Sequence, residues 1–319
     1  MGRAPHPADA VNVVSNMTNL PDLRKYFPCR AELPPEPERR RAFDALWAET
    51  LRRGEGSLIE YDCPYPKHEF LCYLVEQKGC LLHGSNHQQI KVLLPIRFSA
   101  DVSSYGNLEA VYACSDGVWP IYYAIAQRKC SKVSLKSSCF RVAEPDGTAK
   151  KHYYFSIHEE MRRSQPWTEG MVYVLPRGKF RQLTNELGHP VEEWASEEPV
   201  IATAKLAVCA RDFPFPDAVQ VHGDEPPAPA GRADAGDYDD YVGRYAITAE
   251  IVVEVTKVAD YLFAKFPGYP PAAMRPVARG AFLLPPLDLR ATFADDERGA
   301  PSRLTIRWEG QDWVARRLF

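Results

Sequence analysis

Cys80-Leu81-Leu82-His83-Gly84-Ser85-Asn86 is the stretch on which the reading of this chain turns. A short apolar run stops at a polar His-Gly-Ser, the pattern of a buried strand that delivers a histidine to a cleft. Gly84 has no Cβ and so lets backbone approach a ligand closely. Ser85 adds a hydroxyl that donates or accepts. Three letters carry little alone. Their weight comes from Tyr112, Tyr123 and Glu198 further along the chain.

The flanking segments set a fold. Pro37-Glu38 opens a helix, with Phe43, Leu46, Trp47 and Leu51 on one face and Gly54 at its end. The Arg39–Arg41 run is expected on a solvated face. Tyr65 to Lys78 reads as a second helix, stopped by Gly79, and the strand 80–83 follows at once. Further strands are expected at 90–95 and 109–113. Ser115-Asp116 caps a helix from Val118 to Gln127 whose Ile121, Ala124 and Ile125 turn inward. Beyond it, strands dominate at 131–135, 138–143, 152–157, 171–175 and 200–208, with turns at Pro145-Asp146-Gly147, Glu169-Gly170 and Gly188-His189-Pro190. This is an α+β pattern, without βαβ alternation and without a phosphate-cradling glycine loop.

Residues 212–237 are rich in Pro and acidic residues and read as a linker. Alternating apolar positions then recur at Ile251, Val253 and Val255, at Leu262, Ala264 and Phe266, and at Leu304, Ile306 and Trp308. About eight short strands in this stretch predict a small closed or nearly closed antiparallel barrel. The expected division is an N-terminal extension 1–36, an α+β domain 37–211, a linker 212–237 and a barrel domain 238–319.

Composition bounds the function. The 319 residues are 45% hydrophobic and 25% charged, with a net charge of −3, so no general field favours nucleic acid or anionic membrane. Eight cysteines occur without a Cys-x-x-Cys pair, and the sequence offers no signal-peptide core and no membrane-spanning run. The expectation is a cytoplasmic protein with reduced thiols, no membrane partner and no metal. The sequon at Asn16 then has no role. Cys63, His68, Cys72 and Cys80 are the one set to weigh for zinc, and their spacing fits no common template.

Three pieces line up: Leu82-His83-Gly84-Ser85, then Ala110-Val111-Tyr112-Ala113 with Tyr122-Tyr123-Ala124 in the following helix, then Ser196-Glu197-Glu198-Pro199-Val200 entering a strand. They resemble the ADP-ribosyltransferase family of the diphtheria-toxin and poly(ADP-ribose) polymerase type. That family carries a His–Tyr–Glu triad on such segments. Met171-Val172-Tyr173-Val174-Leu175-Pro176 is similar to a central strand of its bacterial members, and the resemblance spans roughly residues 65–210.

The resemblance implies an ADP-ribosyltransferase-like split β-sheet domain with helices, using NAD as substrate. His83 would hold the ribose hydroxyls, Gly84 the nicotinamide amide through its backbone, and Ser85 a further contact. Tyr112 and Tyr123 would sandwich the nicotinamide ring, with Tyr122 beside them. Where the polymerases place a Ser, this chain reads Val118-Trp119-Pro120-Ile121, and Trp119 is expected to close the pocket. Glu198 would be the catalytic carboxylate, acting with His83 and Tyr112; Glu197 is the rival assignment.

Such residue types suit the chemistry. Breaking the nicotinamide–ribose bond leaves an oxocarbenium-like sugar, which a carboxylate stabilises more than it stabilises neutral ribose. Aromatic faces hold a flat cation. The implied activity is mono-ADP-ribosylation, with protein, nucleic-acid base or small molecule as acceptor. NAD glycohydrolysis and non-catalytic nucleotide binding are the alternatives.

The C-terminal segment has its own resemblance. Tyr241-Val242-Gly243-Arg244-Tyr245 and Leu304-Thr305-Ile306-Arg307 are similar to the lipocalin-like β-domain appended to bacterial penicillin-binding-protein-related serine hydrolases. No Ser-x-x-Lys or Gly-x-Ser-x-Gly nucleophile accompanies it, so the implied role is accessory.

Overall fold

Phe43 and Trp47, four residues apart on one helical face, anchor the first element of the core. The computed structural model describes residues 27–30, 36–96, 108–129, 133–143, 149–184, 188–224 and 238–318, apart from 259–260, 268, 270, 285–288, 297–298 and 309–310. The expectations for residues 1–26, the turn at 145–147 and most of the Pro-rich linker lie outside these.

Helix α1 runs Pro37–Arg52, with Pro in its first turn and Arg52 in its last, as the sequence predicts. Arg40 and Arg41 are exposed, but Arg39 is not: its guanidinium lies 5.1 Å from the Tyr65 ring centroid and 3.2 Å from Glu69. Strand β1 is Ser57–Leu58. Helix α2, Lys67–Lys78, buries Phe70, Leu71 and Leu74 completely and stops at Gly79. Each such side chain contributes about 1.5–3 kcal/mol by leaving water. Strands β2 (Leu81–Ser85), β3 (Val92–Leu93) and β4 (Val111–Cys114) follow. Then come the short helix α3 (Trp119–Ile125) and strands β5 (Leu135–Ala143) and β6 (Ala149–His158).

Helix α4 is Glu159–Arg163, and strands β7 to β12 are Gly170–Leu175, Arg181–Thr184, Pro190–Ser196, Val200–Ile201, Ala204–Val208 and Gln220–His222. Of these, α4, β8, β9 and β12 are not foreseen by the sequence reading. Seven strands form one sheet in the order β1-β11-β7-β2-β4-β9-β8. β7 is buried along its whole length. β12, β6 and β5 form a second sheet, with β12 parallel to β6. Residues 212–224, read from sequence as the start of a linker, include β12 and the core residue Phe213.

The C-terminal region is a closed barrel of eight antiparallel strands, as the alternating pattern predicts. β13 to β20 are Gly243–Ala246, Val252–Val258, Tyr261–Lys265, Ala272–Ala278, Ala281–Leu284, Leu289–Asp295, Pro301–Trp308 and Gln311–Leu318. β13 pairs with β20 to close it. Tyr245, Phe282, Leu304 and Ile306 fill the inside, as expected at this strand number. A turn of 3₁₀ helix, Tyr238–Tyr241, lays Tyr241 against Phe293 with ring centroids 4.5 Å apart.

The chain divides into two compact units. One takes in residues 30–140 and 153–224. The other takes in the barrel, Phe27–Cys29 and the described residues of 141–152. Among the described residues no helix is long and apolar enough to cross a membrane.

Candidate functional site

The site begins where two neighbouring strands part. β2 pairs with β7 along its full length, from Leu81↔Leu175 to Ser85↔Met171. On its other side it meets β4 at one pair, Leu82↔Cys114. β4 meanwhile runs antiparallel to β9, Val111↔Ser196 through Cys114↔Glu193. Beyond Leu82 the ladder between β2 and β4 is replaced by a side chain: His83 Nδ1 lies 2.7 Å from the carbonyl oxygen of Tyr112. A carbonyl only accepts, so Nδ1 carries the proton. In the neutral ring, Nε2 is then the acceptor nitrogen.

Helix α3 covers this fork, and two glycines allow it. A Cβ on Gly84 would stand 1.9 Å from the Pro120 carbonyl oxygen, and one on Gly170 would stand 1.9 Å from that of Ala124. Gly84 thus serves the helix first. The buried Asp116 caps α3, its Oδ1 accepting from the backbone N–H groups of Val118 (2.8 Å) and Trp119 (2.9 Å). Its Oδ2 accepts from the Tyr153 hydroxyl at 2.8 Å. Burial, and next the Asp116 carboxylate, push the Tyr153 phenol far above its ordinary range.

The result is a cleft of about 100 Å³ whose lining includes His83, Gly84, Tyr112, Trp119, Tyr123 and Glu193. Trp119 and Tyr123, four apart on α3, form one wall, with ring centroids 6.4 Å apart and planes tilted by 40°. Both reach Ser137 Oγ on β5: the Trp119 indole N–H donates to it at 2.7 Å, and the Tyr123 hydroxyl lies 2.6 Å from it. The Tyr112 hydroxyl donates to the carbonyl of Leu108 at 2.9 Å and accepts from its N–H at 3.1 Å.

Five of the residues singled out from sequence therefore come together: His83, Gly84, Tyr112, Trp119 and Tyr123. The others do not. Tyr122 points away from the cleft, fully buried, with its hydroxyl donating to the Ser156 carbonyl at 2.7 Å and its ring 4.8 Å from Phe155. Burial holds its phenol well above the ordinary value. Ser85 is not part of the lining; its hydroxyl accepts from the His87 N–H at 3.1 Å. Glu197 and Glu198 sit on the turn after β9. Their side chains are 67% and 71% exposed, beside Arg181 (3.6 Å) and Lys179 (3.5 Å). Neither lines the cleft.

The carboxylate in the cleft is Glu193, which the sequence reading passes over. Strand alternation separates it from its neighbour. Glu193 shares a face with Cys114, whereas Glu192 accepts from the Ser115 hydroxyl at 2.7 Å. The available signal was the Val191-Glu192-Glu193-Trp194-Ala195 run after the Gly188-His189-Pro190 turn. Among the lining residues Glu193 is the acidic side chain and three are aromatic, a set that suits a flat, positively charged ring.

No family model and no curated protein matches the chain. Among solved structures it is similar to SurE, solved with D-Leu, at 17% identity and a TM-score of 0.24. That match covers 47% of this chain and spans about a third of the SurE chain (33%).

Proposed function

We propose that the chain is a mono-ADP-ribosyltransferase that cleaves the nicotinamide–ribose bond of NAD, with an ADP-ribosyltransferase-like sheet that opens between β2 and β4. One observation carries the reading. His83, Tyr112, Tyr123 and a strand-borne carboxylate, far apart in sequence, line a single cleft. The carboxylate is Glu193 in place of Glu198.

The roles follow from chemistry. Trp119 and Tyr123 offer faces to the cationic nicotinamide ring, and Tyr112 lines the same cleft. His83, held by the Tyr112 carbonyl, lines the cleft and contacts the ribose hydroxyls in this reading. As the bond between ribose C1′ and the nicotinamide nitrogen breaks, its electron pair goes to the ring, which leaves neutral. Positive charge grows on C1′ and the ring oxygen, and Glu193 stabilises it. An acceptor then bonds to C1′ and releases its proton. NAD and acceptor thus yield ADP-ribosyl-acceptor, nicotinamide and a proton. The barrel is a lipocalin-like accessory domain in this reading, because side chains such as Tyr245 and Phe282 occupy its interior.

The test is incubation of the full chain with adenine-labelled NAD. Labelled macromolecule together with free nicotinamide supports transfer. Nicotinamide with free ADP-ribose points to hydrolysis instead. Unchanged NAD with saturable binding leaves a binding module, and unchanged NAD without binding overturns the reading.

A further inference from the structure

We infer that Ser137 on β5 is a positioning residue that sets the aromatic wall of the cleft for a flat nicotinamide-type ring, an inference that rests on the functional reading above. Ser137 does not line the cleft itself. Its hydroxyl oxygen lies 2.7 Å from the Trp119 indole nitrogen and 2.6 Å from the Tyr123 hydroxyl. The indole N–H only donates, so Ser137 must accept from it. That leaves the serine proton, or a second lone pair, for Tyr123. One small hydroxyl therefore joins the polar groups of two rings that line the cleft.

The arrangement has a geometric consequence. α3 is only seven residues long and is fixed along its backbone by Asp116 and by the close packing at Gly84 and Gly170. Its backbone sets where Trp119 and Tyr123 begin; Ser137 sets where their rings end. Rotation of either ring about its first side-chain bonds would break its bond to Ser137. The tilt of 40° between the rings is held from the rim, and a ligand meets a wall already in place.

The experiment uses the full-length protein and nicotinamide as probe. The Trp119 indole N–H signal is assigned in a ¹H–¹⁵N spectrum by its loss in Trp119→Phe. In Ser137→Ala that signal shifts and its solvent exchange quickens at least tenfold, while nicotinamide affinity falls about tenfold. Ser137→Thr keeps the hydroxyl and returns both toward wild type, which a merely fold-supporting position would not do. An unmoved indole signal, or an unchanged affinity in Ser137→Ala, overturns the inference. If Ser137→Ala does not fold, Ser137→Thr decides: a wild-type indole signal and affinity support the inference, and their loss overturns it. Wild-type protein that binds no nicotinamide, yet shows the indole shift in Ser137→Ala, overturns the functional reading and the ring ligand with it, while the bond from Trp119 to Ser137 stands.

Discussion

His83 Nδ1 donates to the Tyr112 carbonyl at 2.7 Å, so a side chain, not a strand, completes the edge of β4 where β2 turns away. The imidazole is thereby both a structural tie and a cleft residue. His83→Phe keeps ring volume and removes the donor. The expected loss is about 1–3 kcal/mol of stability, read from urea unfolding, together with loss of NAD turnover. Retained turnover in a folded His83→Phe protein would remove the imidazole from the mechanism.

The two candidate carboxylates make opposite predictions. Glu193→Gln preserves shape and removes the charge facing the cleft, and turnover of NAD is expected to fall about 10²–10³-fold. Glu198→Gln alters an exposed side chain 3.5 Å from Lys179, and its turnover should stay within about twofold of wild type. Rates from initial nicotinamide release decide between them.

How far the sequence reaches is visible in this pair. The strand that carries His83 follows from its apolar run, the helix bearing Tyr123 from its cap and inward apolar residues, and the closed barrel from its alternating apolar positions. β9 carries no such signal. Its Val191, Glu193 and Ala195 lie on one face and Glu192 and Trp194 on the other, so neither face is uniformly apolar. The paired acids at 197–198, next to Pro199, stand out more in the letters than Glu193 does. Only strand pairing, Glu193 opposite Cys114, reveals which acid turns inward. Tyr122 and Tyr123 illustrate a similar limit. Adjacent helical positions point about 100° apart, so one tyrosine must leave the cleft, and sequence does not say which.

Gly84→Ala tests the packing of α3. The new methyl would meet the Pro120 carbonyl oxygen at 1.9 Å, and backbone cannot swing aside as a side-chain tip can. A stability loss of about 1–3 kcal/mol is expected in thermal or urea unfolding. A parallel loss is expected for Gly170→Ala, which meets the Ala124 carbonyl oxygen at the same distance. A wild-type melting curve in either variant would show that α3 is free to move.

His68 supplies a pH dependence. Burial, and next the neighbouring Arg30 guanidinium, hold its imidazole below the ordinary value of 6.5, against a weaker opposing pull from Asp212. The unfolded chain therefore binds this proton more readily. Stability should fall as pH drops below about 6.5 and should lose nothing further from this group once pH passes the folded-state value. Melting temperatures of wild type and His68→Asn between pH 5 and 8 provide the check: the asparagine variant should show a flatter profile. An identical slope would mean that His68 does not contribute.

The two tight glycine contacts fall at opposite ends of one short helix, at Pro120 and at Ala124. Main-chain atoms therefore set how closely the helix lies on β2 and β7, and side chains alone are left to set the width of the cleft. A descendant of this protein that accommodated a bulkier ring while keeping this close helix seat would have to shorten Trp119, Tyr112 or Tyr123.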